Sequence, residues 1–318
     1  MRYNPKISVI GAGNVGIRYT YSVIIRGLAR HIVLVDVNKK RAEGEAMDLS
    51  HGAPYYNPVQ IEAGEYPAIE NSDLVVITAG RNQNPGESRL DLIKDNTRIY
   101  AGIIPKCVQY APTAKYLVVS NPVDVLSYVT YKLSGKPASE VIGAGTVLDS
   151  ARFRFLLGSH CGLDPRNVHA YILGEHGDSE FPVWSNAMIG GMPIREYCNI
   201  CAHNSECQTE EILDDIFNEA RDAAHQIISR KGETSYGIGL ALARITSAIL
   251  NDENTILPVS TLINDFLGVS SVYLSLPALI NKGGVKQVIK PNLSTKEREQ
   301  FQNSAVTIRK VLDAIHFN

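Results

Sequence analysis

The segment KISVIGAGNVG, residues 6–16, decides the fold of this chain. A short run of strand-forming residues leads into Gly11, Gly13 and Gly16 in a G-x-G-x-x-G spacing, and helical periodicity then continues to Ala29. Such glycines allow a tight turn and a close approach of the backbone to a pyrophosphate, whose charge is attracted by the free N–H groups of the following helix. The segment therefore predicts a strand–turn–helix unit that binds a dinucleotide.

An acidic residue after the next strand indicates which dinucleotide is bound. Residues 31–35 form a second apolar run, which ends in Asp36, 20 residues after Gly16. A carboxylate at this place accepts hydrogen bonds from the adenosine ribose and repels the 2′-phosphate of NADP. The glycines alone would be weak evidence, but together with both strands and the acid they favour an NAD site.

Apolar runs continue to alternate with helix-length segments through the first half of the chain. These runs lie at residues 59–63, 73–78, 116–120 and 141–144. The alternation is typical of an α/β fold with a Rossmann-type, doubly wound parallel sheet, in which ligands bind beyond the carboxyl ends of the strands. The strand ends predicted to line the cofactor site are Gly11, Asp36, Ala79, Gly80 and Asn121.

A change of pattern after residue 145 predicts two domains. Residues 1–145 form the NAD-binding domain, and residues 146–318 form an α+β substrate domain with an antiparallel strand pair at 255–264 and 272–278. Residues 80–91, within the first domain, are rich in glycine, proline and asparagine. They form either a solvated loop or a mobile lid over a substrate.

The composition is that of a soluble globular protein. Of 318 residues, 44% are hydrophobic and 20% are charged, and the net charge is −2. So small a charge excludes strong attraction to nucleic acid or to an acidic membrane. No apolar run approaches the roughly 20 residues that span a bilayer, and the N-terminus lacks the layout of a signal peptide. We therefore expect a cytoplasmic protein.

A single histidine, His176, lies in the segment ILGEHGDS at residues 172–179, after an apolar run at 170–173 that predicts a strand. Its ordinary pKa near neutrality suits general acid–base catalysis, although a solvated histidine in a surface turn is the simplest alternative. Asp149 and Arg152, three residues apart, share a helix face. They form either an ordinary surface ion pair or a buried pair directed at His176.

Three of the five cysteines lie close together, with a histidine among them: Cys198, Cys201, His203 and Cys207. A C-x-x-C with a nearby His and Cys can hold zinc. The second ligand pair lacks the usual fixed spacing, however, so a polar surface loop without metal is the favoured interpretation. The odd number of cysteines also argues against a disulfide framework.

Five motifs, in this order, resemble the NAD-dependent L-lactate and malate dehydrogenase family over nearly the whole chain. They are GAGNVG at 11–16, NQNPGESR at 82–89, SNPVD at 120–124, GTVLDSARFR at 145–154 and GEHGDS at 174–179. Within the family, the closer match is to bacterial L-lactate dehydrogenases. The resemblance implies reversible hydride transfer between NADH and pyruvate, giving L-lactate and NAD+, as the final step of fermentative glycolysis. It also implies a homotetramer, or dimers and tetramers in equilibrium.

The resemblance assigns roles to individual residues. His176 would give a proton to the carbonyl oxygen of pyruvate, and Asp149 would fix its tautomer and stabilise the imidazolium. Arg152 would hold the substrate carboxylate, and Arg89 would polarise the carbonyl group. The residues expected to bind substrate are Gln83, Asn121 and Thr234. Those expected to bind NAD are Gly11, Gly13, Asn14, Val15, Gly16, Asp36, Ala79, Gly80, Asn121 and Ile238.

Substrate choice is expected to depend on Gln83. Malate dehydrogenases carry an arginine at this lid position, which pairs with the second carboxylate of oxaloacetate. Glutamine cannot neutralise that charge, and enclosing an unpaired carboxylate costs several kcal/mol, so pyruvate is favoured. A malate or other 2-hydroxy-acid dehydrogenase is the nearest rival. A non-catalytic dinucleotide-binding or redox-sensing protein is a rival of another class, but it would be expected to lack the catalytic residues.

Regulation is suggested by Arg154 and His169, which match positions that bind fructose 1,6-bisphosphate in allosterically activated bacterial lactate dehydrogenases. A phosphate site needs an arginine and a second cation, and two subunits could each provide such a pair across a two-fold axis. The alternative is a surface arginine and a strand histidine without a ligand.

Overall fold

The computed structural model describes residues 4–81, 89–200 and 210–316, with only the backbone at Arg89 and Glu210. Six parallel strands form the centre of its first half. They are β1 (Lys6–Ile10), β2 (His31–Val35), β3 (Gln60–Ala63), β4 (Leu74–Ile77), β5 (Lys115–Val118) and β6 (Val141–Gly143). The helices between them are α1 (Asn14–Ile25), α2 (Lys39–His51), α3 (Arg89–Tyr110) and α4 (Val123–Ser134). The strand order β3-β2-β1-β4-β5-β6 confirms the predicted doubly wound sheet.

Continuous apolar sequence explains why these strands occupy the centre. Every residue of β4 is buried, and so are the last four residues of β1 and of β2. Parallel strands covered by helices on both faces have no solvated side, so their sequences do not alternate between apolar and polar residues. The chain reverses its winding direction between β1 and β4, which opens a crevice beyond their carboxyl ends.

The second half adds mixed α and β structure. Its helices are α5 (Val147–Cys161), α6 (Ile194–Cys198), α7 (Glu210–Lys231), α8 (Tyr236–Leu250) and α9 (Thr295–Ala314). Its short strands are β7 (Val168–His169), β8 (Ile172–Leu173), β9 (Phe181–Pro182), β10 (Met188–Ile189) and β11 (Met192–Pro193). Its long strands are β12 (Thr255–Ile263), β13 (Val272–Asn281) and β14 (Gly284–Val288).

The long antiparallel strands extend the central sheet. Ser260 of β12 pairs with Gly143 of β6, and the complete order is β14-β13-β12-β6-β5-β4-β1-β2-β3. Helix α8 packs on α1, where the Tyr19 hydroxyl lies 2.9 Å from Thr246 Oγ1. The division of the chain at residue 145 stays a prediction.

The structure differs from the predicted elements in several places. Helix α1 ends at Ile25 rather than Ala29, because Gly27 adopts a left-handed φ of +62°. Of the predicted strand at 170–173, only Ile172 and Leu173 form a strand, β8; residues 170–171 separate it from β7, and the two strands pair with different partners, β9 and β10. Strand β14 and the two-residue strands β9, β10 and β11 were not predicted, since each has at most two apolar residues. Within the described ranges, none of the helices combines the length and the apolar character needed to cross a lipid bilayer.

Candidate active site

The glycine turn after β1 is shaped to admit a phosphate group. A Cβ atom on Gly11, whose φ is +111°, would lie 2.7 Å from the Ala79 nitrogen, and one on Gly16 would lie 2.1 Å from the Gly11 carbonyl oxygen. These two glycines are therefore required by close backbone packing. A Cβ on Gly13 would meet nothing within 4 Å, and no side chain caps the N-terminus of α1 there. The turn thus leaves open space in front of free N–H groups, which fits a pyrophosphate.

Two backbone hydrogen bonds hold the Asp36 carboxylate in place. Its Oδ2 accepts a hydrogen bond from the Ala12 nitrogen at 2.7 Å, and its Oδ1 accepts one from the Asn38 nitrogen at 2.8 Å. Each carboxylate oxygen keeps a second lone pair that can accept from a ribose hydroxyl. The residues of this edge therefore fit NAD.

The ends of β4 and β5 are tied together beside the turn. Ser120 Oγ donates to the Ala79 carbonyl at 2.6 Å, and Asn96 Nδ2 donates to the Asn121 carbonyl at 2.9 Å. Asn96, on α3, was not singled out in the sequence. Its side chain is buried and also accepts a hydrogen bond from the Arg81 nitrogen at 3.0 Å, so it fixes the start of the predicted lid.

His176 and Asp149 meet because β13 anchors both of their segments. The Ser275 hydroxyl accepts a hydrogen bond from the Thr146 nitrogen at 3.1 Å, just before α5 begins. The backbone of Ser275 pairs with that of Gly174, just before His176. Gly174 has a φ of +93°, a left-handed conformation that favours glycine, and it delivers the histidine from β8 into the site.

The three side chains predicted to act together are in direct contact. His176 Nδ1 lies 2.7 Å from Asp149 Oδ2, and Arg152 Nη1 donates to Asp149 Oδ1 at 2.9 Å. The Asp149 side chain is only 3% exposed, whereas that of His176 is 27% exposed. Asp149 and Arg152 are therefore not an ordinary surface pair. The buried carboxylate orients the histidine through its Nδ1 atom.

A second buried acid fixes the backbone of the histidine. Asp124, 1% exposed on α4, accepts hydrogen bonds from the His176 backbone nitrogen at 2.7 Å and from Ser260 Oγ at 2.5 Å. Sequence reasoning quoted it only within the SNPVD motif. The signal that could have found it is an acid inside the apolar helix sequence VDVLSYV at 123–129. Burial raises its pKa to about 6, although both hydrogen bonds favour the charged form.

The electrostatics favour a proton on His176. Burial alone would lower the pKa of His176, but the charge of Asp149 and the hydrogen bond to it outweigh burial and raise this pKa to about 9. The charge of Asp124, and that of Glu180 once this carboxyl group is ionised, raise the pKa of His176 further. Burial opposes ionisation of Asp149 as well, yet His176 and Arg152 hold the pKa of this carboxyl below its ordinary value. The fixed positive charge of Arg152 opposes binding of a metal cation, so the arrangement suits proton transfer.

The remaining predicted site residues lie on several elements of the fold. Half-buried Thr234 precedes α8, and half-buried Ile238 lies in its first turn and packs on the central core. Arg89 begins α3, but Gln83 lies outside the described residues. Half-buried Arg154 belongs to α5, and exposed His169 belongs to the adjoining β7.

The predicted cysteine-bearing surface loop is only partly described. Cys198 is 4% exposed at the end of α6, within an apolar cluster that includes Phe153 and Phe217. The expectation of a polar surface position was therefore wrong for Cys198. The other members of the group, Cys201, His203 and Cys207, lie outside the described residues.

Two family models cover nearly the whole chain. The lactate/malate dehydrogenase NAD binding domain matches residues 5–143, and the alpha/beta C-terminal domain of the same family matches residues 146–317. The chain belongs to the lactate/malate dehydrogenase family. It is an NAD-dependent oxidoreductase, as the glycine turn and Asp36 indicated.

Relatives named L-lactate dehydrogenase align with nearly the whole of this chain. It is 48% identical over 310 residues to an L-lactate dehydrogenase of Thermoanaerobacter pseudethanolicus, which covers 98% of this chain and 99% of the relative. It is 49% identical over 315 residues to L-lactate dehydrogenase 1 of Clostridium acetobutylicum, covering 99% and 100% respectively.

Solved structures show the same architecture. A lactate dehydrogenase from a Medee basin deep-sea metagenome library superposes with a TM-score of 0.95 at 47% identity, covering 98% of this chain and 99% of that one. The minor L-lactate dehydrogenase of Enterococcus mundtii superposes with a TM-score of 0.93 at 40% identity, covering 98% of each chain.

Proposed function

We propose that this enzyme is an L-lactate dehydrogenase, which reduces pyruvate to L-lactate and catalyses the reverse reaction, with His176 as proton donor and acceptor. The observation that carries the proposal is the contact chain Arg152–Asp149–His176, whose two bonds measure 2.9 and 2.7 Å. The relatives named L-lactate dehydrogenase support the substrate. Bound NAD supplies the hydride acceptor or donor.

His176 holds and moves the proton. Because Asp149 accepts a hydrogen bond from the Nδ1–H group, the transferable proton lies on Nε2, which faces away from Asp149. Nε2 gives this proton to the oxygen of the pyruvate carbonyl and takes it back from the hydroxyl group of lactate. The Asp149 carboxylate stabilises the imidazolium, so the proton remains available at neutral pH.

Two arginines complete the proposed substrate site. One N–H of Arg152 is engaged by Asp149, which fixes the guanidinium plane, and its remaining donors can hold the substrate carboxylate as a planar fork. Arg89 begins α3 at the end of the predicted lid, from which it would polarise the carbonyl group. Asn121 and Thr234 would contact the substrate, and Ile238 the nicotinamide.

Selection of pyruvate is assigned to Gln83. Its neutral amide is compatible with the methyl group of pyruvate but leaves the second carboxylate of oxaloacetate unpaired, which disfavours a malate dehydrogenase. The activity would serve the final step of fermentative glycolysis in the cytoplasm, and a homotetramer is the expected assembly.

His176→Gln tests the proposal directly. Glutamine can still hydrogen-bond to Asp149 but cannot donate a proton near neutrality, so turnover of pyruvate is expected to fall by 10²-fold or more. NADH binding, followed by fluorescence, is expected to persist because the substitution leaves the glycine turn and Asp36 unchanged. Turnover near the wild-type rate would refute the role of His176.

We propose in addition that fructose 1,6-bisphosphate activates the enzyme through Arg154 and His169. Arg154 Nη2 donates to the Pro165 carbonyl at 3.3 Å, and in the described part of the chain its buried Nε has no hydrogen-bond partner. Exposed His169 lies on β7, next to the helix that carries Arg154. Two such pairs across a two-fold axis would supply four cationic groups for the two phosphates.

The double variant Arg154→Gln, His169→Gln tests this site. We expect it to abolish activation by the bisphosphate while the rate without effector stays near the wild-type value, since neither residue contacts Asp149 or His176. Activation that survives the double replacement would contradict the site.

A further inference from the structure

A third ionisable side chain, Glu180, lies against the His176–Asp149 pair and has no part in the mechanism proposed above. A Glu180 carboxyl oxygen, an Asp149 carboxyl oxygen and a ring nitrogen of His176 all lie within 4.8 Å of one another. Glu180 is 7% exposed, and its backbone nitrogen donates to the Gly177 carbonyl at 3.1 Å. This turn brings the side chain back to the histidine four residues earlier.

The charged groups around Glu180 come from three parts of the fold. Asp149 and Arg152 face it from α5, His176 from its own turn, and Arg221 from α7. Each arginine already has a carboxylate partner, since Arg152 donates to Asp149 and Arg221 Nε donates to Asp222 at 3.1 Å. Across the ranges that the structure describes, no side chain donates a hydrogen bond to the Glu180 carboxyl group.

Two carboxyl groups and one imidazole this close together titrate as a unit. Burial, followed by the negative charge of Asp149, raises the pKa of Glu180 to about 9, although His176, Arg152 and Arg221 favour its ionised form. Near neutral pH, the cluster therefore holds a proton on Glu180 as well as one on His176. When Glu180 loses its proton at alkaline pH, the new negative charge stabilises the imidazolium.

We propose that Glu180 is a positioning residue that keeps the proton on His176 to higher pH, so that the enzyme retains its proton donor under alkaline conditions. Glu180 acts through His176 and not on the substrate. This inference rests on the proposed role of His176. The charged groups that face His176 are Asp149 from α5, Asp124 from α4 and Glu180 itself.

The substitution Glu180→Gln removes the charge and keeps the shape of the side chain. Two pH titrations report on His176. The first is kcat/KM for pyruvate, whose alkaline limb follows loss of the donor. The second is modification of His176 by diethylpyrocarbonate in the enzyme without coenzyme, located by peptide mass spectrometry, because this reagent attacks the neutral imidazole. The second titration needs neither turnover nor NADH.

In Glu180→Gln we expect both midpoints to fall by about one pH unit, as for loss of a unit charge a few ångströms away in a partly solvated site. Activity at neutral pH should stay within a few-fold of wild type, since His176 remains largely protonated there. Glu180→Asp keeps an ionisable group farther from the ring, so its midpoints should lie between those of the other two enzymes. It also serves as the test if Glu180→Gln does not fold.

Glu175→Gln is the matched control. Glu175 is 4% exposed, next to His176 in sequence, and accepts a hydrogen bond from Ser179 Oγ; its charge acts on Asp124, whereas the charges that raise the pKa of His176 are those of Asp149, Glu180 and Asp124. We expect both midpoints to remain at their wild-type pH in this variant.

Each outcome has a distinct meaning. Unshifted midpoints in both Glu180 variants would overturn the inference, even if His176→Gln abolishes turnover as proposed. A shift of equal size in Glu175→Gln would also overturn it, because the effect would then not depend on Glu180. A shift in the modification titration alone would support the coupling of Glu180 to His176 and contradict His176 as the proton donor.

Discussion

Replacing Asp149 with asparagine removes the negative charge of this side chain and keeps its shape. Asp149 is the chief cause of the rise in the pKa of His176 from 6.5 to about 9. A rise of this size corresponds to about 3 kcal/mol in favour of the imidazolium, or a few hundredfold in the protonation equilibrium. Without the carboxylate, burial should bring the pKa of His176 back towards 6.5, because burial disfavours the charged ring and the remaining charges of Glu180 and Asp124 oppose it less strongly than Asp149 does.

The consequence is a shift in the pH dependence of pyruvate reduction. At pH 7.5 the wild-type histidine is almost fully protonated, whereas in Asp149→Asn only about a tenth of the molecules would carry the proton. We expect kcat/KM for pyruvate to fall about tenfold at this pH, and the alkaline limb to move from about pH 9 towards pH 6.5. The assay is NADH oxidation followed by absorbance between pH 5.5 and 10.

NADH affinity provides the control for this variant. Asp149 lies on α5 in the second half of the chain, whereas the glycine turn and Asp36 lie in the first half. Fluorescence titration should therefore give a dissociation constant for NADH within about twofold of wild type. An alkaline limb that stays near pH 9 in Asp149→Asn would refute the assignment of the His176 pKa to this carboxylate.

Further predictions concern the cofactor turn and the last helix. Gly16→Ala should abolish NADH binding, because the added Cβ would lie 2.1 Å from a backbone oxygen. The added Cβ of Gly13→Ala meets no protein atom within 4 Å, so this variant should keep the wild-type melting temperature. Asp36→Ala should weaken NADH binding about tenfold and narrow the preference for NADH over NADPH in coenzyme titrations, since the charge that repels the 2′-phosphate is lost. Ser294→Ala should reduce the free energy of unfolding in urea by about 1 kcal/mol, because its hydroxyl group and Glu297 form the capping box of α9. As a control, Ser159→Ala, on an exposed face of α5, should change the free energy of unfolding little.

The Rossmann half could be predicted because its buried strands are predominantly apolar runs, each followed within a few residues by a glycine or polar residue. The short strands of the second half could not be predicted in this way. Residues 170–173 have strand composition, but the chain changes partners between β7 and β8, and only tertiary pairing determines this. Strand β14 lies at the sheet edge and has too few apolar residues to give a signal.

The residue types of the candidate site could be predicted from the sequence, but the contacts between these residues could not. Asp149 and His176 are 27 residues apart and meet only because Ser275 of β13 anchors both segments. Glu180 could have been noticed as an acid directly before the apolar sequence FPV at 181–183. Its proximity to the histidine depends on the turn closed at Gly177, which no spacing rule specifies.

The most direct test of the proposed function compares pyruvate with oxaloacetate in the NADH oxidation assay, using wild-type enzyme and Gln83→Arg. We predict that the wild type favours pyruvate in kcat/KM by at least two orders of magnitude, and that Gln83→Arg shifts the ratio strongly towards oxaloacetate because the new charge pairs with the second carboxylate. Wild-type preference for oxaloacetate, or no activity with either substrate despite NADH binding, would contradict the proposal that this enzyme is an L-lactate dehydrogenase.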